Sequence, residues 1–329
     1  MSHKFSKEKA IAIEAVRTAS RICRSVQSSI TQGVLEKKDK SPVTIADFAS
    51  QAVICRALEQ SFPDDPIIGE EDSSHLQSQE QAPFLRRILD ELKTVYPAAS
   101  SQDVCRWIDR GNAEKTSERF WTLDPIDGTK GFLRQGQYAV ALALIVNEQV
   151  QVAVLGCPNL DLNSEPQSAC GAIFCAVRGA GSCVIPLDAE PSETTILVSK
   201  TQEATQARFC ESVESGHSSH GRSAQVAQWL GMTQESIRLD SQAKYAIVAR
   251  GEADIYMRLP TRADYIEKIW DHAAGVLLVE EAGGTVTDLY GKPIEWNHGR
   301  ELAANTGIIA ANGYLHGSVL EALRQVFGG

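Results

Sequence analysis

A layered α+β architecture whose second half is α/β is the fold class predicted by this sequence of 329 residues. Three observations carry it. The chain opens with two long segments whose apolar residues recur at helical spacing. It continues with strand-like runs joined by short turns, and after a polar, proline-flanked stretch it switches to short strands alternating with helices.

Taken in order, 6–32 and 44–60 read as two packed helices, the second placing Phe48, Ala52 and Cys55 on one face. From 73 to 119 the chain turns polar and rich in Ser and Gln, with one helical patch at 84–95, and reads as a surface excursion and candidate lid. Strand-like runs at 120–123, 138–146, 150–157 and 171–177 form a largely antiparallel sheet. The stretch 186–191 then divides the chain into an N-terminal domain, 1–190, and a C-terminal domain, 191–329. In the second, strands are expected at 195–199, 237–239, 253–258, 285–288 and 308–311. Helices are expected at 202–213, 224–230, 241–249, 271–282 and 315–327.

With 43% hydrophobic and 22% charged residues the chain can build a substantial core and has the balance of a soluble globular protein. Its longest apolar run, 139–146, is far short of the ~20 residues that span a bilayer, so no membrane partner is expected. No secretory leader opens the sequence, and a cytoplasmic protein is expected, an organellar one being the alternative. A formal charge of −10 repels polyanions, and no basic stretch interleaved with aromatics argues for nucleic acid. The eight cysteines lack CxxC pairs, which speaks against zinc and against a disulfide scaffold and for buried thiols in a reducing compartment. Cys170, Cys175 and Cys183 lie close enough in sequence for a regulatory disulfide to be the minority reading. The chain is expected to be monomeric.

Acids concentrate in four motifs: "SPVTIADFASQ" with Asp47, "IIGEED" with Glu70, Glu71 and Asp72, "WTLDPIDGTKGF" with Asp124 and Asp127, and "IWDHAAG" with Asp271. Each has a plain structural reading. Thr44 and Asp47 fit a capping box, Glu70 to Asp72 fit a solvated turn, Asp124 to Gly128 fit a turn, and Asp271 fits a first-turn acid favoured by the helix macrodipole. Together those readings weaken, because two of the motifs place acids directly after short apolar strands, where loops at one sheet end converge. Pro125 forces Asp124 into extended geometry and is expected to make a tight turn that returns Asp127 to the same side, leaving the Ile126 carbonyl outside the ladder.

Magnitude settles what such a cluster needs. Two unit charges ~4 Å apart repel by about 4 kcal/mol at an effective dielectric of 20, so the carboxylates must either protonate or be compensated by cations. An all-oxygen donor set selects hard cations, and beside a phosphate that means Mg²⁺, with two or three ions expected. Gly128 allows close backbone approach, and a helix starting at Thr129 would aim free amides at an anion. The Thr129 hydroxyl, polarised by Asp47, would hold a water placed for attack on phosphorus.

At these residues the sequence resembles the lithium-sensitive, magnesium-dependent phosphatase superfamily that contains inositol monophosphatase, inositol polyphosphate 1-phosphatase and 3'(2'),5'-bisphosphate nucleotidase. "FPDDPIIGEED", "GTKGFLR", "CPNL", "VRGAG", "ESGHSSH", "DSQAKY" and "RLPTRADYIEKIWDHAAG" are similar to the bisphosphate nucleotidase branch, and the likeness runs over essentially the whole chain. It implies an αβαβα sandwich of the inositol monophosphatase and sugar phosphatase type. It also implies hydrolysis of the 3'-phosphate of 3'-phosphoadenosine 5'-phosphate, and of 3'-phosphoadenylyl sulfate, as disposal of a by-product of sulfate assimilation. By the same resemblance Glu70, Asp124, Asp127, Asp271 and the Ile126 carbonyl would be metal ligands, Asp47 and Thr129 would activate the water, and Glu71 would stand behind the ligands. Gly128 and Thr129 would meet the phosphate, and His217, Ser241, Lys244 and Arg258 would surround the nucleotide. Residue chemistry supports Arg258 independently, since a charge closing the apolar strand Ile255-Tyr256-Met257 calls for an anion. An inositol polyphosphate 1-phosphatase is the alternative activity, and a non-catalytic phosphonucleotide sensor the alternative class.

Overall fold

The leading helices and the strands after them form the first half of a five-layer arrangement. The computed structural model of the chain describes residues 4–29, 34–36, 42–162, 170–189, 192–213, 220–262 and 264–328. The chain runs α1 (Ser6–Ser28), β1 (Val34–Glu36), β2 (Pro42–Thr44), α2 (Ile45–Ser61), β3 (Ile67–Gly69), α3 (Ala82–Lys93) and α4 (Ser101–Asp109). It continues β4 (Arg119–Asp127), α5 (Thr129–Leu133), β5 (Ala139–Val146), β6 (Gln149–Asp161), β7 (Cys170–Val177), β8 (Gly181–Pro186) and β9 (Thr194–Ile196). Then follow β10 (Phe209–Glu211), α6 (His220–Trp229), β11 (Ile237–Arg238), α7 (Ala243–Ala249), β12 (Ile255–Arg258), α8 (Ala273–Glu281), β13 (Gly284–Thr287), β14 (Ile308–Asn312) and α9 (His316–Phe327).

Strands β3 to β9 make a seven-stranded sheet in sequence order, antiparallel except for the parallel pair β3 and β4. A second, mixed sheet has the order β11-β10-β12-β14-β13. Helices α1 and α2 cover one face of the first sheet, and α7 and α8 lie between the two sheets. On the outer face of the second sheet α6 and α9 pack against Phe209, Ile255, Met257 and Ile309. The result is the αβαβα sandwich expected.

Strand β5 reads as an unbroken apolar run because both of its faces are covered. Its Val140, Leu142 and Leu144 enter the core under α1 and α2, while Ala139, Ala141 and Ala143 face α8. Small side chains on that face let the middle layer of helices approach closely. Gly275 serves the same end, since a Cβ there would lie 2.2 Å from the ring of Tyr245 on α7.

Three expectations are corrected. The span 73–119 is no lid: Phe84, Ile88 and Leu92 of α3 and Val104, Trp107 and Ile108 of α4 are buried in the core under α2. Their apolar spacing is helical, but the Ser and Gln clustered before α3 and at the start of α4 obscured it. The helix expected at 202–213 is instead a 3-10 turn at Ala204–Gln206 followed by β10, in which Phe209 and Cys210 point into different cores and pair with β12. Nor does Pro125 make a tight turn. It sits in a β-bulge inside β4, where Asp124 pairs with Ala141 and Asp127 with Ala139, so that Pro125 and Ile126 stand against Val140 alone, two residues against one. Every cysteine whose side chain is described is a free thiol, with Cys175 and Cys183 directly opposite on β7 and β8. The side chain of Cys170 lies outside the described residues. No helix among them is long and apolar enough to cross a membrane.

Substituting Gly275→Ala is expected to lower stability by about 1–3 kcal/mol through overpacking, read as an earlier urea midpoint. An unshifted midpoint would mean that α8 can move off α7 at no cost.

Candidate active site

Parallel pairing of β3 with β4 is what brings the first acids together. Gly69 lies opposite Leu123, and the Glu70 amide donates to the Leu123 carbonyl at 3.2 Å, so Glu70 and Asp124 leave neighbouring strands at one end of the sheet. The bulge at Pro125-Ile126 then returns Asp127 to that end, and the Ser50 hydroxyl fixes it by donating to the Pro125 carbonyl at 2.9 Å. Asp271 arrives from the other direction, on the 3-10 turn Ile269–Asp271 that leads into α8.

These acids form one wall of a cavity of about 490 Å³. Glu70, Asp124, Asp127 and Asp271 line it together with Ile126, Gly128 and Thr129. Ser241, Lys244 and Arg258 line the same cavity. Of the residues singled out from sequence, Asp47 and Glu71 are buried behind the acidic wall, and His217 falls outside the described residues.

Electrostatics in the cluster are severe. Burial raises the Asp124 carboxyl well above its ordinary range, and the charges of Glu70, Asp127, Asp271 and Asp47 raise it further. Asp271 is also held well up, by burial and by Asp127, with Arg258 opposing. Asp127 is raised by burial against the pull of Lys244 and Arg258. Asp124 is 2% exposed and its Oδ1 is buried without a hydrogen-bond partner among the described residues, a costly arrangement for a carboxylate unless something else meets it.

On the cationic side, Lys244 is 3% exposed and donates to the Ser241 carbonyl at 2.6 Å. Burial lowers its pKa, with Asp127 opposing. Ser241 has a left-handed backbone at φ 71°, an unfavourable state for a non-glycine residue that only its surroundings maintain. Burial works against the charge on Arg258, but Glu267 holds the guanidinium well above its usual pKa and accepts from Nε at 3.2 Å. Glu267 in turn drops to about 2, since Arg258 and His272 outweigh its burial.

The capping role read for Asp47 is real: Oδ2 accepts from the Thr44 amide at 2.8 Å and from its hydroxyl at 2.7 Å. The Thr129 hydroxyl donates to the Ile126 carbonyl at 3.3 Å. Gly128, at φ 86°, caps the short α5 and also lets β4 press on the next wall, because a Cβ there would lie 3.0 Å from Ser241 Cβ.

Sequence reasoning missed the residues that hold these walls. The Gln51 side chain grips the segment after β3, accepting from the Glu71 amide at 3.0 Å and donating to the Glu71 carbonyl at 2.5 Å. Its spacing four after Asp47 places both on one helix face, a signal that was legible. Gln242 joins the two acidic carriers: its amide N–H donates to Asp127 Oδ2 at 2.6 Å and its side chain to the Trp270 carbonyl at 2.9 Å. Arg300 donates to the Gly69 carbonyl at 2.7 Å and lies 4.6 Å over the Trp270 ring, tying β3 to the Asp271 turn. Nothing local in the sequence marks Gln242 or Arg300. Ligand atoms of Glu267, Asp271 and His272 also come within 4.8 Å of one another. Glu267 and His272 are already paired with each other and with Arg258 and Tyr245, so that trio is an internal network more than a metal cage.

The inositol monophosphatase family model matches residues 5–327. A protein of Schizosaccharomyces pombe named 3'(2'),5'-bisphosphate nucleotidase is 44% identical, with 98% of this chain and 96% of that protein covered. A protein of the same name from Dictyostelium discoideum is 39% identical over 98% of this chain and 97% of its own length. Among solved structures, an inositol monophosphatase from Anabaena superposes with a TM-score of 0.62 at 24% identity, covering 98% of this chain and 97% of its own. That likeness shows the shared fold.

The raised carboxyls fix the sign of a pH effect. Asp124, Asp127 and Asp271 sit above the ordinary 3.8, so the folded chain binds more protons than the unfolded one between that value and the folded ones. The resulting stability is complete below the unfolded pKa and is lost as pH rises through the folded values. In chelator, the melting midpoint is therefore expected to fall as pH is raised from about 5 to about 8. A calorimetric midpoint that climbs over that range would contradict the burial of a crowded carboxylate cluster.

Proposed function

Because this chain belongs to the inositol monophosphatase family, and its relatives in Schizosaccharomyces pombe and Dictyostelium discoideum are named 3'(2'),5'-bisphosphate nucleotidase, we propose that it hydrolyses the 3'-phosphate of 3'-phosphoadenosine 5'-phosphate to give AMP and phosphate. The observation that carries the reading is one cavity lined both by carboxylates and by buried cations. The carboxylates Glu70, Asp124, Asp127 and Asp271 share its lining with the buried cations Lys244 and Arg258. A substrate with two phosphates suits such a lining: Lys244 and Arg258 can meet one phosphate directly, and the carboxylates would hold the cations that neutralise the other.

An all-oxygen donor set, with the unpartnered Asp124 Oδ1 aimed at no protein group, fits magnesium. Glu70, Asp124, Asp127, Asp271 and the Ile126 carbonyl would hold two or three Mg²⁺ ions, which when bound lower the pKa of water and neutralise charge on the phosphoryl group. The protein's own groups do the rest. Thr129 Oγ1 orients the attacking water, and the carboxylate of Asp47 takes its proton through that hydroxyl. Gly128 leaves room for the phosphoryl oxygens beside the first amides of α5. Lys244 and Arg258, with Ser241 and His217, hold the nucleoside and its 5'-phosphate, and Glu71 stays behind the ligands, its backbone held by Gln51. The new bond joins water oxygen to phosphorus, and the ribose 3'-oxygen leaves with a proton from solvent. 3'-Phosphoadenylyl sulfate presents the same 3'-phosphate and is a second substrate. The protein works as a cytoplasmic monomer on a small nucleotide, clearing a by-product of sulfate assimilation.

Phosphate release from 3'-phosphoadenosine 5'-phosphate and from an inositol bisphosphate, at equal concentration, tests the assignment. Faster turnover of the nucleotide is expected, and the reverse order would move the chain to the inositol side. Asp47→Ala and Asp124→Ala are each expected to lower kcat by roughly 10²-fold or more, whereas a sensor would have no turnover to lose. Lithium should inhibit more than sodium or potassium at equal ionic strength, because it can take a Mg²⁺ position without supplying its charge; equal inhibition by all three would count against the metal assignment.

A further inference from the structure

Arg258 does not face the cavity on its own. Glu267 is 2% exposed and uses both carboxylate oxygens: Oε1 accepts from Arg258 Nε at 3.2 Å, and Oε2 meets His272 Nε2 at 3.1 Å. The other ring nitrogen of His272 meets the Tyr245 hydroxyl at 2.8 Å. Tyr245 packs edge-to-face on Tyr256, which lies two residues before Arg258 on β12. Backbone contacts hold Glu267 in place, since the Leu302 amide donates to its carbonyl at 2.8 Å. His272 immediately follows Asp271 and opens α8. One buried carboxylate therefore bridges the strand carrying the cation and the turn carrying one of the cavity's acids.

We propose that Glu267 is a positioning residue that sets the distance between Arg258 and Asp271, and so matches the cavity to the separation of the substrate's two phosphates. The proposal rests on the bisphosphate reading above. What matters in it is reach: a side chain long enough to touch Arg258 and His272 at once keeps the guanidinium at a fixed distance from Asp271. Asp at this position keeps the charge but is shorter by one methylene, about 1.5 Å, and cannot bridge both. Gln loses the charge but keeps the reach, its Oε1 accepting from Arg258 and its amide donating to an unprotonated His272 nitrogen.

The test measures steady-state kinetics of wild type, Glu267→Asp, Glu267→Gln and Tyr245→Phe with Mg²⁺, on 3'-phosphoadenosine 5'-phosphate and on adenosine 3'-monophosphate, which lacks the 5'-phosphate. For E267D, KM for the bisphosphate is expected to rise about tenfold with kcat within about threefold, and the monophosphate kinetics to stay within about threefold of wild type. E267Q should keep the bisphosphate KM within about threefold, and Y245F, which loosens the far end of the chain, should raise it by about two- to threefold. Equal losses on both substrates in E267D would assign Glu267 a general structural role and overturn the proposal. So would an E267Q defect as large as that of E267D, which would make charge the controlling property. If E267D does not fold, Y245F with an unchanged bisphosphate KM overturns it alone. Failure of the underlying reading looks different, because wild type itself would then not hydrolyse the bisphosphate.

Discussion

Repulsion among carboxylates that the fold forces into one place is the constraint on which this molecule is organised. Glu70 and Asp124 leave adjacent parallel strands, a bulge turns Asp127 toward them, and Asp271 enters from the layer between the sheets. Burial raises the Asp124 carboxyl well above its usual range, and the charges of Glu70, Asp127, Asp271 and Asp47 raise it further. A chain that needed only stability would place apolar residues there. Tolerating the cluster makes physical sense if the missing positive charge comes from ions whose binding is part of the function.

Holding such a site open requires groups that do not themselves react. Gln51 secures the segment after β3, Gln242 ties Asp127 to the turn before Asp271, and Arg300 bridges Gly69 and Trp270. Each joins pieces distant in sequence; Gln51 and Arg300 satisfy backbone groups at the end of β3, and Gln242 satisfies the Trp270 carbonyl at the Asp271 turn. The left-handed Ser241, pressed against Gly128, shows backbone strain in the lining of the cavity.

Much of this was legible in the chain before any coordinates. Asp-Pro-Ile-Asp-Gly after an apolar run, Gly-Glu-Glu after another, and Trp-Asp-His before a helix marked the acids, because residue type and strand exit are local properties. An α+β half followed by an α/β half was legible from periodicity, the five layers followed from the resemblance, and the alternation in β5 separates large from small side chains by face. What stayed hidden was non-local. Phe209 and Cys210 were read as helix because their pairing with β12 outweighs local pattern, and the helical patch of α3 was read as surface, and α4 not read as a helix, because Ser and Gln cluster before α3 and at the start of α4. Pro125 signals a break in the ladder, but only the register with β5 shows that the break is a bulge. Gln242 and Arg300 carry no local signature, since their partners lie on segments brought together only by the fold.

Proton release on metal binding tests the central claim most directly. Titrating Mg²⁺ into metal-free protein near pH 6.5, in two buffers of different ionisation enthalpy, measures the protons displaced as the ions enter. Carboxyls raised by crowding and burial must surrender protons to coordinate, so the account predicts release that diminishes as pH is raised and that is reduced in Asp124→Asn. Binding without proton exchange at any pH from about 5 to about 8 would show that the carboxylates are not crowded as described.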